Sequence, residues 1–560
     1  MEQVRIFALG GLDEDGKNML VVEVNESIFI IEAGLKYPDT GQLGVEFIIP
    51  DFSYLIENKD RIKGIFITHA HDDVIAALPY LIKQINIPIY TGKLTANIIN
   101  EILRKEGIKG FKIHRLDRCS DQMIGDVRVR TFPMTHALPD NFGIAIGTSQ
   151  GYIVYTGEFI IDYDMLQKEY LCDINELSAI GKEGVLCLLC ESQSADKKGH
   201  TAPKHRITSL IEPIFEESIG KRILISTYAQ SLFRIIEIIE LAKKFNRKIF
   251  FHDKGIRALL KHLEVLDYYK VPKEMQIEEK DFSDDMLDVV VLISGNGKNL
   301  FRTMTNIANH EDPYVSFHSD DSIIVASPIV SGTELYANNM ENEIYKEGGK
   351  IYTLDSKTVL SMHPSSEDLK MMLYLFQPKY YIPVKGEYRH LFVNANLALH
   401  MGYSPDRILI LENGQIAVFE NRILKSVATH LDLEDTLIDG KETWDVTGVV
   451  LKDREILSTD GVMIIGVGVN NKTKEISNGP DVQTRGLIYL KDADYIIKEV
   501  GNIMETCINK AVQENRYDNL AVRAEARDKI VKYLMKETGK RPMVLPVIME
   551  INDNVLHSLN

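Results

Sequence analysis

His69-Ala70-His71-Asp72-Asp73-Val74 follows the apolar run Gly64-Ile65-Phe66-Ile67-Thr68 and precedes Ile75-Ala76-Ala77-Leu78-Pro79-Tyr80-Leu81, which reads as helical. A strand that ends in His-x-His-x-Asp puts two imidazoles and a carboxylate into one loop. These are the nitrogen and oxygen donors that a borderline cation such as zinc takes. An arbitrary His-x-His is more often a polar turn, but the strand, turn and helix around this one favour a metal-binding reading.

Two further strand ends carry matching chemistry. Thr131-Phe132-Pro133-Met134-Thr135-His136 delivers an imidazole, and Gly151-Tyr152-Ile153-Val154-Tyr155-Thr156-Gly157-Glu158 delivers an acid. The candidate site therefore collects His69, His71, Asp73, His136 and Glu158 from three strand ends.

The chain has 560 residues, 45% of them hydrophobic, enough for several buried cores. No apolar run of eighteen residues occurs, and Met1 leads directly into a strand, so the expected protein is soluble and cytoplasmic with no membrane partner. Five cysteines are too few and too scattered for a disulfide framework. Cys187 and Cys190 lie in an apolar strand, where a three-residue spacing sends them to opposite faces of a sheet. A net charge of −17 excludes gripping a polyanion through the bulk field, so RNA or DNA would need a local channel or a metal.

From 205 to 355 the pattern alternates helix and strand, which predicts a parallel sheet with crossover helices. Strands are expected at 223–226, 249–252, 289–293 and 323–326, and helices at 207–215, 232–242, 256–266 and 334–347. Beyond it, Ser361-Met362-His363-Pro364-Ser365 opens a helix with stripe Leu369, Met372, Leu373 and Phe376, and Ser365 with Asp368 fits a capping box. A helix start beside His363 is also a ready phosphate site. The strand Tyr380–Val384 delivers Lys385-Gly386-Glu387. A polar stretch at 426–446 with the single Trp444 reads as a linker, and 447–560 as a small α/β unit with Cys507 in its core.

Read together, HAHDDV (69–74), THALPD (135–140) and TGEF (156–159) resemble the H-x-H-x-D-H, T-H-S-I-P-D and T-G-D-F motifs of the ribonuclease J family. These are β-CASP nucleases of the metallo-β-lactamase fold, and the chain resembles the divergent second paralogue of Gram-positive bacteria. LGGLDEDGKN (9–18), EAGLKYP (32–38), LGVEFIIPDFSYL (43–55), NGPDVQTRGLIYL (478–490) and RPMVLPVIMEI (541–551) extend the resemblance to nearly the whole chain.

The resemblance implies an α/β architecture. A metallo-β-lactamase αββα sandwich would occupy residues 1–204 and 356–425, an inserted β-CASP domain 205–355, and a C-terminal α/β domain associated with self-assembly 447–560. It also implies a two-metal centre that hydrolyses RNA, 5′ to 3′ and possibly internally. His69, His71, His136 and the bridging Glu158 would hold the first cation. Asp73 would hold the second together with two histidines, but those positions carry Val74 and Lys385. The expectation is therefore at most one bound zinc, or manganese in its place.

Asp73 and His363 match residues that assist proton transfer. Ser361, His363, Ser365, Glu191 and Arg234 match substrate-binding positions, whereas Val359 and Phe233 have lost the expected polar group. Glu32 and Glu158 stand where aspartates are usual, each one carbon longer. The expected protein is an RNA-binding paralogue in RNA processing and decay that assembles with itself or with an active paralogue. The alternative is a weak metal-dependent 5′–3′ exoribonuclease with endonuclease activity.

Overall fold

Among the described residues, apolar runs bounded by turn residues become the strands of five sheets, three of them large. The computed structural model describes residues 2–38, 42–164, 167–329, 332–355, 357–439, 448–487 and 494–551. Contacts divide the chain into two compact units, Met1–Tyr37 with Phe47–Thr436, and Pro38–Glu46 with Leu437–Asn560.

In the larger unit an eight-stranded sheet runs in the order Ile423–His430, Gln415–Glu420, Gln3–Gly10, Met19–Val24, Ser27–Ile31, Ile62–Ile67, Ile89–Thr91, Ile113–Arg115. Its first five strands pair antiparallel, and from Ser27–Ile31 onward the pairing is parallel. A six-stranded sheet, Tyr380–Val384, Val185–Glu191, Tyr152–Tyr155, Phe142–Ile146, Val127–Pro133, Asp121–Ile124, lies against it. The two inner faces share one core, in which Ile6, Phe29 and Phe66 meet Ile144, Leu189 and Ile382. On the outer face of the second sheet, Phe132, Val154 and Leu188 pack on the helix Ser366–Phe376 through Leu369, Met372 and Phe376. This is the αββα sandwich expected from the sequence.

Alternation explains the cysteines. Cys187 faces the core between the sheets and Cys190 the core under the helices, so both thiols are packing groups. The capping box at Ser365 and Asp368 is formed as expected.

The inserted segment builds a fully parallel six-stranded sheet, Gln276–Ile277, Lys248–Phe251, Val289–Gly295, Ile223–Tyr228, Ser322–Val325, Lys350–Thr353. Three of its elements were not expected, the strand Gln276–Ile277 among them. Lys298–Ala308 is a helix, with Leu300, Phe301, Met304, Ile307 and Ala308 buried at three- and four-residue spacing, and Lys350–Thr353 is an edge strand. After the insertion the chain returns to the second sheet, where Tyr380–Val384 pairs parallel with Val185–Glu191.

Residues 426–430, expected to begin a linker, continue the strand Ile423–His430, which pairs with Gln415–Glu420. Trp444 and the rest of 440–446 lie outside the described residues. In the smaller unit Val462–Asn470 is the central strand between Ile476–Arg485 and Met543–Ile551. Its buried face packs on helices Asp494–Gln513 and Asn519–Thr538, with Cys507 in that core. Among the described residues no helix is long and apolar enough to cross a membrane.

Candidate metal centre

The strand Ile62–Ile67 ends at Thr68 and the chain turns through His69 and His71 into the single-turn helix Asp72–Ile75. This turn is held by the segment 32–35. Ala33 donates to the Val74 carbonyl (2.7 Å) and Leu35 to the Asp72 carbonyl (3.1 Å). Gly34 lies so close to the turn that a Cβ there would stand 1.6 Å from the Asp73 carbonyl oxygen. The EAGLKYP signature thus has a physical meaning, since its glycine lets one backbone lie on another.

His69, His71, His136 and Glu158 converge, with one donor atom from each lying within 4.8 Å of the others. The Nε2 atoms of His69 and His136 lie 3.6 and 3.0 Å from the Glu158 carboxylate, and His71 Nδ1 lies 3.7 Å from it. The protons on these rings are assigned by their outer partners. His136 Nδ1 donates to the Met362 carbonyl (2.8 Å) and His71 Nε2 to the Gln230 carbonyl (3.3 Å), because a carbonyl only accepts. With Glu32 ionised, Thr68 Oγ1 donates to Glu32 Oε1 (2.6 Å), so His69 Nδ1 donates to Thr68 (2.9 Å).

His71 and His136 therefore turn a lone pair toward Glu158, and His69 does so once Glu32 is ionised. Among the described residues His69 Nε2 is buried without a hydrogen-bond partner, and His71 Nδ1 and His136 Nε2 stand 3.4 Å apart with no proton between them. Burial also pushes all three imidazoles toward the neutral form, His71 down to about 4 and His69 and His136 well below their ordinary value. Electron-rich atoms gathered in this way repel one another unless a cation lies among them, so the residues present fit one tetrahedral ion. Burial pushes Glu32 up to about 8, which couples its proton to the tautomer of His69.

The adjoining half is built differently. Val74 is fully buried and offers no donor atom. Lys385 follows the strand Tyr380–Val384 in a left-handed backbone (φ 63°), and its ammonium reaches Asp73 Oδ2 at 2.7 Å and also ion-pairs with Glu158 Oε1. Asn18, from the N-terminal signature, donates to Asp73 Oδ2 at 3.0 Å. Burial alone would raise the Asp73 carboxyl, but the Lys385 charge outweighs it and holds it well below the usual carboxylate range. Asp73, expected as a ligand, stands outside the four-donor group, and its charge is taken up by the ammonium.

The cleft over this site, about 400 Å³, is lined by Asp73, His136, Phe233, Arg234, Ser361 and His363 among others. Glu191 is fully buried and does not face the cleft. It accepts from Phe159 N (2.6 Å) and bonds His363 Nδ1 (2.8 Å), which turns His363 Nε2 outward. Burial disfavours the charged form of His363, but the Glu191 carboxylate overrides it and raises the imidazole. Ser365, expected at the substrate, is buried in the helix cap against Thr201 Oγ1 (2.8 Å). Arg234 lines the cleft but spends its guanidinium on the Ala326 carbonyl (2.9 Å) and the His205 carbonyl (3.5 Å). Val359 is buried in the core of the inserted sheet. The sequence reading missed Gln230, whose carbonyl no side-chain pattern reports, and Asn18, whose motif had been noticed without a role.

Comparisons with known proteins agree with this architecture. A metallo-beta-lactamase superfamily model matches residues 12–170, a ribonuclease J beta-CASP domain model 220–344, and a ribonuclease J C-terminal domain model 449–551. Ribonuclease J 2 of Staphylococcus aureus (strain NCTC 8325 / PS 47) is 32% identical over 552 residues, covering 98% of this chain and 99% of that protein. The chain belongs to the ribonuclease J family.

Ribonuclease J 2 of Staphylococcus epidermidis is also 32% identical over 552 residues, with the same coverage. A crystal structure of a protein of unknown function from Enterococcus faecalis V583 superposes with a TM-score of 0.50. It has 16% identity and covers 75% of this chain and 100% of that one, a likeness of fold. Within the ribonuclease J fold, the His and Glu donors form a group that could bind a metal.

Proposed function

We propose that this ribonuclease J paralogue acts in RNA processing and decay mainly by binding RNA in its cleft and assembling with an active paralogue through its C-terminal domain, its own hydrolytic centre being much reduced. The observation that carries this reading is the Lys385 ammonium set between Asp73 and Glu158, beside a buried valine. The family resemblance expects a second cation there. One tethered positive charge replaces two, and it cannot take a substrate oxygen into a coordination shell.

His69, His71, His136 and Glu158 would hold a single ion, zinc or manganese, which when bound supplies a Lewis acid for water activation. Around it, His363 would hold or pass a proton through the Nε2 that Glu191 turns outward, whereas Asp73, expected in the same role, is kept ionised by Lys385. If the missing ion supplied on the order of 4 kcal/mol, turnover would fall by about a thousandfold. The second reading, a slow 5′–3′ exoribonuclease, is favoured by the complete four-donor group.

Metal analysis of the purified chain, paired with cleavage of a 5′-monophosphorylated RNA in added zinc or manganese, tests both. One ion per protomer with slow or absent cleavage is expected. Two ions with brisk degradation by the isolated chain would overturn the proposal. Mixing with an active paralogue and measuring the size of the assembly tests the partner role.

A further inference from the structure

The corner of the cleft next to His136 is apolar. Phe233 donates its backbone N–H to the Ala137 carbonyl (3.0 Å), which clips it beside that ligand. Its ring packs with Ala137, Ile160 and Met362, meets the Tyr170 ring edge-on at 5.6 Å, and lies 5.3 Å from the His205 ring, while remaining half-buried and lining the cleft.

The two rings packed beside Phe233 carry polar atoms without partners. Tyr170 Oη and His205 Nδ1 are buried without a hydrogen-bond partner among the described residues, and His205 Nε2 has only Asp162 Oδ2 at 3.3 Å. These unmet polar atoms belong to rings packed beside Phe233, a local cost to stability of the kind found at functional sites.

Charge in the same cleft points the same way. Asp15, Asp72, Asp73 and Glu158 line it. Of the lysines and arginines near the site, Arg234 is committed to two carbonyls, Lys385 to two carboxylates and Lys36 to Glu14 (3.5 Å). A phosphate at this corner would meet these acids, with His363 Nε2 as the donor that faces it. The neutral π face of a nucleobase stacks on an aromatic ring whatever the surrounding acid.

We infer that Phe233 is a specificity-determining stacking platform, which seats an unpaired nucleobase beside the His136 corner rather than a terminal phosphate. This rests on the RNA-binding reading above, and the test separates the two. The full chain is titrated by fluorescence anisotropy with a single-stranded oligoadenylate and with an abasic strand of the same length, each bearing either a 5′-hydroxyl or a 5′-monophosphate.

The parent chain is expected to bind the base-bearing strand about tenfold tighter, with the 5′ group making little difference. Phe233→Leu keeps an apolar side chain but should lose that preference. Phe233→Trp should keep it and serves as the folding control. Undiminished preference in Phe233→Leu would overturn the inference, as would a 5′-phosphate effect larger than the base effect. If the parent binds both strands alike, only the platform fails. If it binds neither, the RNA-binding reading fails and the platform with it.

Discussion

The two halves of the cleft share Glu158 and lie within a few residues of each other on the same turn, yet they solve the same electrostatic problem in different ways. On one side three neutral imidazoles, His69 among them once Glu32 is ionised, turn lone pairs inward and call for an ion from solution. On the other, the ion is a side chain, Lys385, already bonded to Asp73. The difference teaches that a fold can keep every strand that positions a metal centre while half of the centre is rebuilt as an ordinary salt bridge.

The strongest way to break this contrast is to restore both missing imidazoles. Val74→His with Lys385→His should take the bound ions from at most one to two per protomer and raise cleavage of 5′-monophosphorylated RNA by up to about a thousandfold. Metal analysis and single-turnover cleavage check both outcomes. Unchanged cleavage with two ions bound would place the defect elsewhere.

Next in size is Lys385→Ala in the presence of a chelator. It leaves Asp73 and Glu158 facing each other without a cation, and removal of one partner from a buried pair costs about 3–5 kcal/mol. Chemical denaturation should show that loss, and a divalent cation should restore part of it.

The imidazole half is sharpened through Glu32 and Thr68. Cation affinity should climb as pH rises toward about 8, because Glu32 must release its proton before Thr68 can hold His69 in the ligating tautomer. Glu32→Gln should flatten that dependence, and Thr68→Val should weaken binding about 10- to 100-fold, the usual effect of an outer partner. For the metal-free chain the sign is opposite. The raised carboxyl contributes stability that is full below the ordinary carboxylate range and is lost as pH rises through about 8. Calorimetric titration and denaturation across pH read the two effects.

The smallest change is expected from Ser365→Ala. If this hydroxyl serves the helix cap, stability should fall by about 1 kcal/mol while RNA affinity stays the same.

Much of this was legible in the residues. The His69 turn, the strand ends at His136 and Glu158 and the alternating insertion are local patterns, and local patterns survive in a single sequence. The helix Lys298–Ala308 was legible as well, since its apolar residues recur at helical spacing, but it was not among the helices expected. What could not be read was pairing across the chain. Lys385 was read as a lost ligand whose ammonium could partly replace the second cation, but its bond to Asp73, 312 residues away in sequence and on a turn of the other sheet, comes from the packing of the two sheets. Ser365 looks the same in sequence whether its hydroxyl faces a ligand or Thr201. Glu191 kept its acid, but nothing near it announced that it would orient His363 rather than touch RNA.

A counter-ion that is part of the polypeptide cannot be diluted, chelated or exchanged for a competing metal. At the Lys385 end, the field inside the cleft is thus fixed at translation, whatever the divalent-ion content of the medium. Only the imidazole end remains open to the supply of ions, so starvation for metal would alter one edge of the groove and leave the other as it was.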